Sequence, residues 1–168
     1  MANQFQIDLS VGATAPDFTL TNDIGEQISL HDFTGKWLVL YFYPRDDSPG
    51  CTIEACSLRD ARDEITALGA EIIGISKDQP TMHEKFKARH SINFALLSDP
   101  GAATIREYGA WNRSFMIFRH IIRKTYIVNP EGKIAKVYSY TTPLGAGSRI
   151  AADVRELQKV ASVTPLSR

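Results

Sequence analysis

WLVLYFYPRDDSPGCTIEAC, residues 37–56, passes from an apolar run through a polar, proline-bounded turn into a helical pattern. Trp37–Tyr43 is apolar at every position, as in a strand covered on both faces. Pro49 then suits the first turn of a helix, where its missing N–H costs no bond. Beyond it Ile53, Ala55, Leu58, Ala61, Ile65 and Leu68 recur at spacings of two to four, marking one buried side to about Leu68. A buried strand feeding a helix is the building unit of an α/β sheet.

The flanking sequence continues that alternation. Glu71–Ser76 reads as a second buried strand, and Asp78-Gln79-Pro80 starts a helix carrying Met82 and Phe86. Asn93–Leu97 is a short strand, followed by a turn at Ser98–Gly101 and a helix to Tyr108. Ile121–Val128 and Ile134–Tyr140 flank the turn NPEGK, a hairpin signal. A last amphipathic helix runs from a Ser148 cap to about Ala161. Upstream, PDFTL (16–20) and EQISL (26–30) form a hairpin about Asn22–Gly25. The expected architecture is α/β: a central mixed sheet flanked by helices on both faces, with an N-terminal β-hairpin extension. This order is compatible with a thioredoxin-like core. No repeat or linker interrupts it, so residues 1–168 read as one domain.

Composition narrows the function. Hydrophobic residues make up 43% and charged residues 23% of the chain, an ordinary globular balance. Lys plus Arg and Asp plus Glu each number 19, so no net charge draws nucleic acid or an anionic membrane. The same balance permits a monomer or a weak homodimer. The first residues, MANQFQIDLSVG, lack the basic and apolar regions of a secretory signal. No run approaches the ~18 apolar residues that span a bilayer. The expected compartment is therefore cytoplasmic and reducing, where a permanent disulfide is disfavoured.

Chemistry concentrates at the two cysteines, Cys51 and Cys56. Cys51 falls in the first turn of the helix that Pro49 opens. Unpaired backbone N–H groups and the helix dipole there favour a thiolate, the nucleophilic form of cysteine. Gly50 allows close backbone approach, and Ser48 supplies a hydroxyl. Asp46 and Asp47 oppose a thiolate, so a cation must come from elsewhere in the fold. Five residues along an intact helix correspond to ~7.5 Å of rise and ~140° of rotation, placing the two Cα atoms roughly 8.6 Å apart. A disulfide needs less than ~7 Å. Cys51 and Cys56 are thus either inert small apolar residues or a pair that bonds only when the helix opens. His31, His83, His90 and His120 are scattered without ligand spacing, so no metal site is expected.

YFYPRDDSPGCTIEAC (41–56) resembles the active-site segment of the peroxiredoxins, thiol peroxidases on a thioredoxin fold. The five-residue cysteine offset is that of the Q type, also called bacterioferritin-comigratory proteins. APDFTL (15–20), EIIGIS (71–76), LLSDP (96–100), YGAW (108–111) and RKTYIVNPEGKI (123–134) follow in the family's order. The resemblance implies that Cys51 is the peroxidatic cysteine and Cys56 the resolving cysteine, joined during turnover by an intramolecular disulfide. It implies that Pro44 shields the thiolate and Ser48, where the family usually has threonine, hydrogen-bonds the peroxide. Arg123 matches the family's arginine and supplies the missing cation, with Arg113 and Arg119 as neighbouring alternatives. Hydroperoxides are the implied substrate, thioredoxin or a glutaredoxin-like dithiol the implied reductant, and no metal, haem, flavin or other cofactor is implied. Two rival readings use the same features: a general thiol–disulfide oxidoreductase, and a redox-gated binding or chaperone-like module.

The remaining signals carry blander expectations. Tyr108 and Trp111 read as packing residues, Gly145–Ser148 as a loop and cap, and the charged helix Thr81–His90 as a solvated face.

Overall fold

The computed structural model describes residues 9–112 and 120–163. A seven-stranded mixed sheet forms its centre, in the order β2-β1-β5-β4-β3-β8-β9. The strands are β1 (Thr19–Asn22), β2 (Gln27–Ser29), β3 (Trp37–Phe42), β4 (Ala70–Ser76), β5 (Ala95–Ser98), β8 (Lys124–Val128) and β9 (Ile134–Tyr138). β6 (Trp111–Asn112) and β7 (His120–Ile121) make a separate antiparallel pair. The helices are α1 (Pro49–Ala67), α2 (Pro80–His90), α3 (Ala103–Glu107) and α4 (Ala146–Val163).

β3, β4 and β5 are parallel; β1 pairs antiparallel with β5 and β8 with β3, and β9 pairs antiparallel with β8. The continuous apolar run of β3 follows from its central place, since both of its faces are covered. Val39, Tyr41 and Tyr43 face α1, α2 and α4, meeting Ala55, Leu58, Ile65, Phe86, Ile150 and Val154. Leu38, Leu40 and Phe42 face the other side, with Ile105, Tyr108, Tyr126 and Val128. Helices therefore lie on both faces, as the alternating pattern requires.

Four local expectations change. The N-terminal hairpin forms later than expected, over 19–22 and 27–29, and β1 extends the main sheet by pairing with β5. Its turn is held by the Asn22 carboxamide oxygen, which accepts from the Ile24 and Glu26 amides. The expected strand 121–128 is broken at Ile122-Arg123. Ile122 N donates to Ala110 O at 2.7 Å, tying the first part to the small sheet, while residues 124–128 pair with β3. β9 ends at Tyr138 rather than Tyr140.

Finally, α4 begins at Ala146, so Ser148 lies inside its first turn and is no cap. The cause is a helix–helix contact. A Cβ on Gly147 would lie 2.1 Å from the Ser57 carbonyl oxygen of α1, so only glycine fits there. The Gly147 amide donates to Ser57 Oγ at 3.0 Å, which satisfies one of the unpaired donors at the start of α4. Among the described residues, no helix is long and apolar enough to cross a membrane.

Candidate active site

The turn after β3 and the first turn of α1 lie at the carboxyl end of the parallel strands, where open α/β sheets expose their sites. Cys51 is 1% exposed at the start of α1. Ser48 is the N-cap residue, with extended backbone, and its carbonyl accepts from Thr52 N and Thr52 Oγ1, both at 2.9 Å. The Ser48 hydroxyl donates to Arg45 O at 3.0 Å, which leaves its oxygen free to accept. Pro44, half-buried, leads out of the strand just upstream.

Arg123 reaches the site because of sheet register. Phe42, the last residue of β3, pairs with Lys124, so the residue before it stands beside the active-site turn. The break between β7 and β8 leaves the Arg123 side chain outside either ladder, and Thr141 N donates to its carbonyl at 3.1 Å. Arg123 Nη2 donates to Cys51 Sγ at 3.5 Å, and Nη1 donates to Glu54 Oε2 at 2.6 Å. Gly50 makes room for this: a Cβ there would meet Arg123 Nη2 at 2.8 Å. Of the three arginines weighed from sequence, Arg113 and Arg119 lie outside the described residues.

Glu54 is fully buried, and its second carboxylate oxygen has no hydrogen-bond partner among the described residues. Burial pushes its pKa from 4.5 up to about 7, against the opposing hydrogen bond and charge of Arg123 and the charge of Arg149. For Arg123, desolvation works against the cation, yet the Glu54 carboxylate and Cys51 outweigh it and hold the guanidinium above its usual value. Both directions have one source. A single arginine bridges a buried thiol and a buried carboxyl group.

The two aspartates do not crowd Cys51 with unmatched charge. Asp46 is buried, accepts from Tyr43 OH at 2.6 Å, and lies 2.7 Å from Nδ1 of the equally buried His83. The other nitrogen of that ring meets the Leu97 carbonyl at 3.1 Å. Asp47 adopts a left-handed backbone (φ 60°) and bonds Arg89 at 2.5 Å and His90 at 3.1 Å. Despite some desolvation, those two partners hold the Asp47 carboxyl below its usual range. Asp46, Asp78 and His83 approach one another closely enough to suggest a metal cluster. However, Asp46 and both ring nitrogens of His83 already have protein partners, and Asp78 Oδ2 accepts from Asp46 N and Ser76 Oγ.

Cys56 is half-buried on another side of α1, and both cysteines are free thiols in an unbroken helix. The ~8.6 Å helical separation therefore holds in this state.

A model of the AhpC/TSA family matches residues 11–137. The chain belongs to the AhpC/TSA family. Putative peroxiredoxin bcp of Coxiella burnetii is 42% identical over 135 residues, covering 79% of this chain and 89% of the relative. Peroxiredoxin Bcp of Escherichia coli is 39% identical over 133 residues, covering 77% and 85%. The structure of Xanthomonas campestris peroxiredoxin Q superposes with a TM-score of 0.80 at 29% identity, covering 90% of this chain and 98% of that one. The chain is thus a peroxiredoxin of the Bcp and Q group, with a thioredoxin-like fold and peroxidase activity.

Sequence reasoning missed several residues of this peroxiredoxin site. Nothing in the sequence analysis singles out Glu54, although it stands three residues after Cys51 and so shares its side of α1. His83 was available by the same rule, being three residues before the buried Phe86. The helix at 81–90 is not merely solvated, because Lys87 pairs with Asp23 and Arg89 with Asp47. Tyr108 is core, as expected, on the sheet face away from Cys51. Trp111 packs between the cations of Lys77 and Arg106.

Proposed function

We propose that Cys51 is the peroxidatic and Cys56 the resolving cysteine of an intramolecular two-cysteine cycle, recycled by a thioredoxin-like dithiol. The observation that supports it most is the Arg123 guanidinium 3.5 Å from a sulfur buried in the first turn of a helix. The Cys51 thiolate attacks the terminal oxygen of a hydroperoxide. The S–O bond forms as the O–O bond breaks, and the departing oxygen takes a proton to leave as alcohol or water. Sulfur ends as sulfenic acid, the reversible rung of cysteine oxidation.

Arg123 orients the peroxide oxygens and offsets charge as it passes from sulfur to oxygen. Ser48, its hydroxyl hydrogen committed to Arg45 O, accepts the peroxide O–H. Pro44 screens the sulfur from bulk water. The first turns of α1 then open, and Cys56 displaces hydroxide from the Cys51 sulfenic acid to give the disulfide. A dithiol reduces that disulfide by exchange.

The test is peroxide consumption driven by thioredoxin, its reductase and NADPH. Cys51→Ser is expected to abolish turnover. Cys56→Ser is expected to oxidise once and then recycle slowly or overoxidise. Unchanged steady-state turnover in Cys51→Ser would reject the reading.

A further inference from the structure

The resolving half of the site has its own guanidinium. Arg59 stands three residues after Cys56 on α1, where side chains share a face. Its Nη1 lies 3.5 Å from Cys56 Sγ and 2.7 Å from the carbonyl of His90, at the end of α2. Its Nε and Nη2 grip the Asp60 carboxylate at 2.9 and 2.8 Å. This allotment uses four of the five guanidinium donors: two on Asp60, and the two hydrogens of Nη1 divided between a carbonyl and a sulfur. Asp60 and the His90 carbonyl hold the guanidinium in place, while the half-buried thiol is the one partner that changes charge during turnover.

We propose that Arg59 activates Cys56, holding its thiolate for attack on the Cys51 sulfenic acid; the inference rests on Cys56 being the resolving cysteine. In that step the Cys56 thiol first loses its proton to solvent. The thiolate then forms an S–S bond to Cys51 as the Cys51 S–O bond breaks, and the released hydroxide takes up a proton as water. Sulfenic acid is the oxidant and the Cys56 thiolate the reductant, so no further reagent is needed. The thiolate is the attacking form, and a guanidinium in contact with Cys56 Sγ stabilises and orients it for that attack.

Arg59 also fixes where the attack happens. Its bond to His90 O fastens this part of α1 to α2, so Cys56 stays anchored while the turn carrying Cys51 opens toward it. Each sulfur is thus served by a different arginine, on a different side of one helix.

The test is rapid quench of the full-length reduced protein after one equivalent of hydrogen peroxide, with mass detection of sulfenic acid and disulfide. In Arg59→Gln the oxidation of Cys51 is expected to keep its native rate, because Arg123 and Cys51 are untouched. Disulfide formation is expected to slow about tenfold near pH 7, because the attacking sulfur loses the cation beside it. That gap should close at about pH 9.5, above the ordinary thiol range near 8.5, where solvent ionises the thiol unaided. Arg59→Lys, which keeps the charge, should recover most of the rate.

A native rate of disulfide formation in Arg59→Gln near pH 7 overturns the proposal. So does a slowing that is equal at every pH, the mark of a merely structural staple. The parent reading is separated by the native protein alone: if it forms no Cys51–Cys56 disulfide, that reading fails before any variant is made. Alkylation of Cys56 by iodoacetamide in a Cys51→Ser background gives a second measurement, independent of the disulfide. There too Arg59→Gln must react more slowly near pH 7, and an equal rate refutes the role.

Discussion

Glu54 is the residue at which the two demands on this helix conflict. It is buried between Cys51 and Cys56, inside the segment whose unwinding the proposed disulfide requires, and Arg123 Nη1 holds one of its oxygens at 2.6 Å. The groups facing it are Arg123 from the β7–β8 turn, Arg149 from α4, and Tyr41 and Cys51 nearby. Its carboxyl titrates at about 7 in the wound helix against 4.5 for a free side chain. The raised value means that the wound form prefers Glu54 protonated. Its stabilising share is fully present below about 4.5 and is lost as pH rises through about 7. The shift is equivalent to about 3 kcal/mol of bias toward unwinding at alkaline pH. Disulfide formation in the native protein is therefore expected to accelerate between about pH 5 and about pH 8 by more than thiol ionisation alone provides. Glu54→Gln keeps an acceptor for Arg123 but cannot ionise, so it should flatten that excess. Rates of disulfide formation across the pH range check it, and an unchanged slope in the variant would reject the linkage.

Among elements, α2 acts as the clamp on the active-site turn. His83 from α2 meets Asp46 at 2.7 Å, and both side chains are wholly buried. Arg89 and His90 from the end of the same helix hold Asp47. Asp46 N donates to Asp78 Oδ2 at 2.9 Å, so the turn is also tied to the end of β4. His83→Ala leaves a buried carboxylate without its ring partner, and breaking such a pair costs about 3 kcal/mol or more. Chemical denaturation is expected to show that loss, and single-turnover oxidation of Cys51 should slow because the turn before it is no longer fixed. A loss below about 1 kcal/mol, the range of an exposed ion pair, would mean that the pair contributes little. The clamp was only partly legible in the sequence. Pro80, the buried Phe86 and the charged face of α2 were plain, but nothing in one-dimensional spacing joins residue 46 to residue 83. Long-range polar pairs carry no periodicity. Buried strands do, which is why β3 and β4 could be read nearly to the residue while Ile121–Val128 could not. Its break at Arg123 depends on which partner each half finds, and the polar Arg123-Lys124-Thr125 between two apolar runs does not by itself specify those partners.

At the scale of the whole molecule, α1 divides into two parts with different holds on the fold. Before Ser57 its buried side chains are Cys51, Glu54 and Ala55, two small groups and a carboxylate, while Ile53 is 46% exposed. After Ser57 they are Leu58 and Ile65, each contributing roughly 1.5–3 kcal/mol by burial. The division coincides with two tethers, the close approach of Gly147 to the Ser57 carbonyl and the Arg59 bond to His90 O. On the other side, Asp46 is fixed to Tyr43, Asp78 and His83. The stretch between, residues 47–55, contains Cys51 and little apolar surface, so opening it leaves Cys56, the sheet and the rest of α1 in place. At that spacing a Cys51–Cys56 disulfide requires some opening of the helix. Its limits depend on which residues α2 and α4 touch, and those contacts were not in the pattern. Hydrogen exchange on reduced and peroxide-oxidised protein measures the limits directly. Oxidation is expected to speed exchange at the amides of residues 52–56 by about tenfold or more, as local unfolding replaces intact helix. Amides from Arg59 to Ala67 and throughout β3 and β4 should keep their protection. Loss of protection through all of α1 would show that the tethers at Ser57 and Arg59 do not hold. No loss at residues 52–56 would remove the motion that the wide cysteine spacing demands.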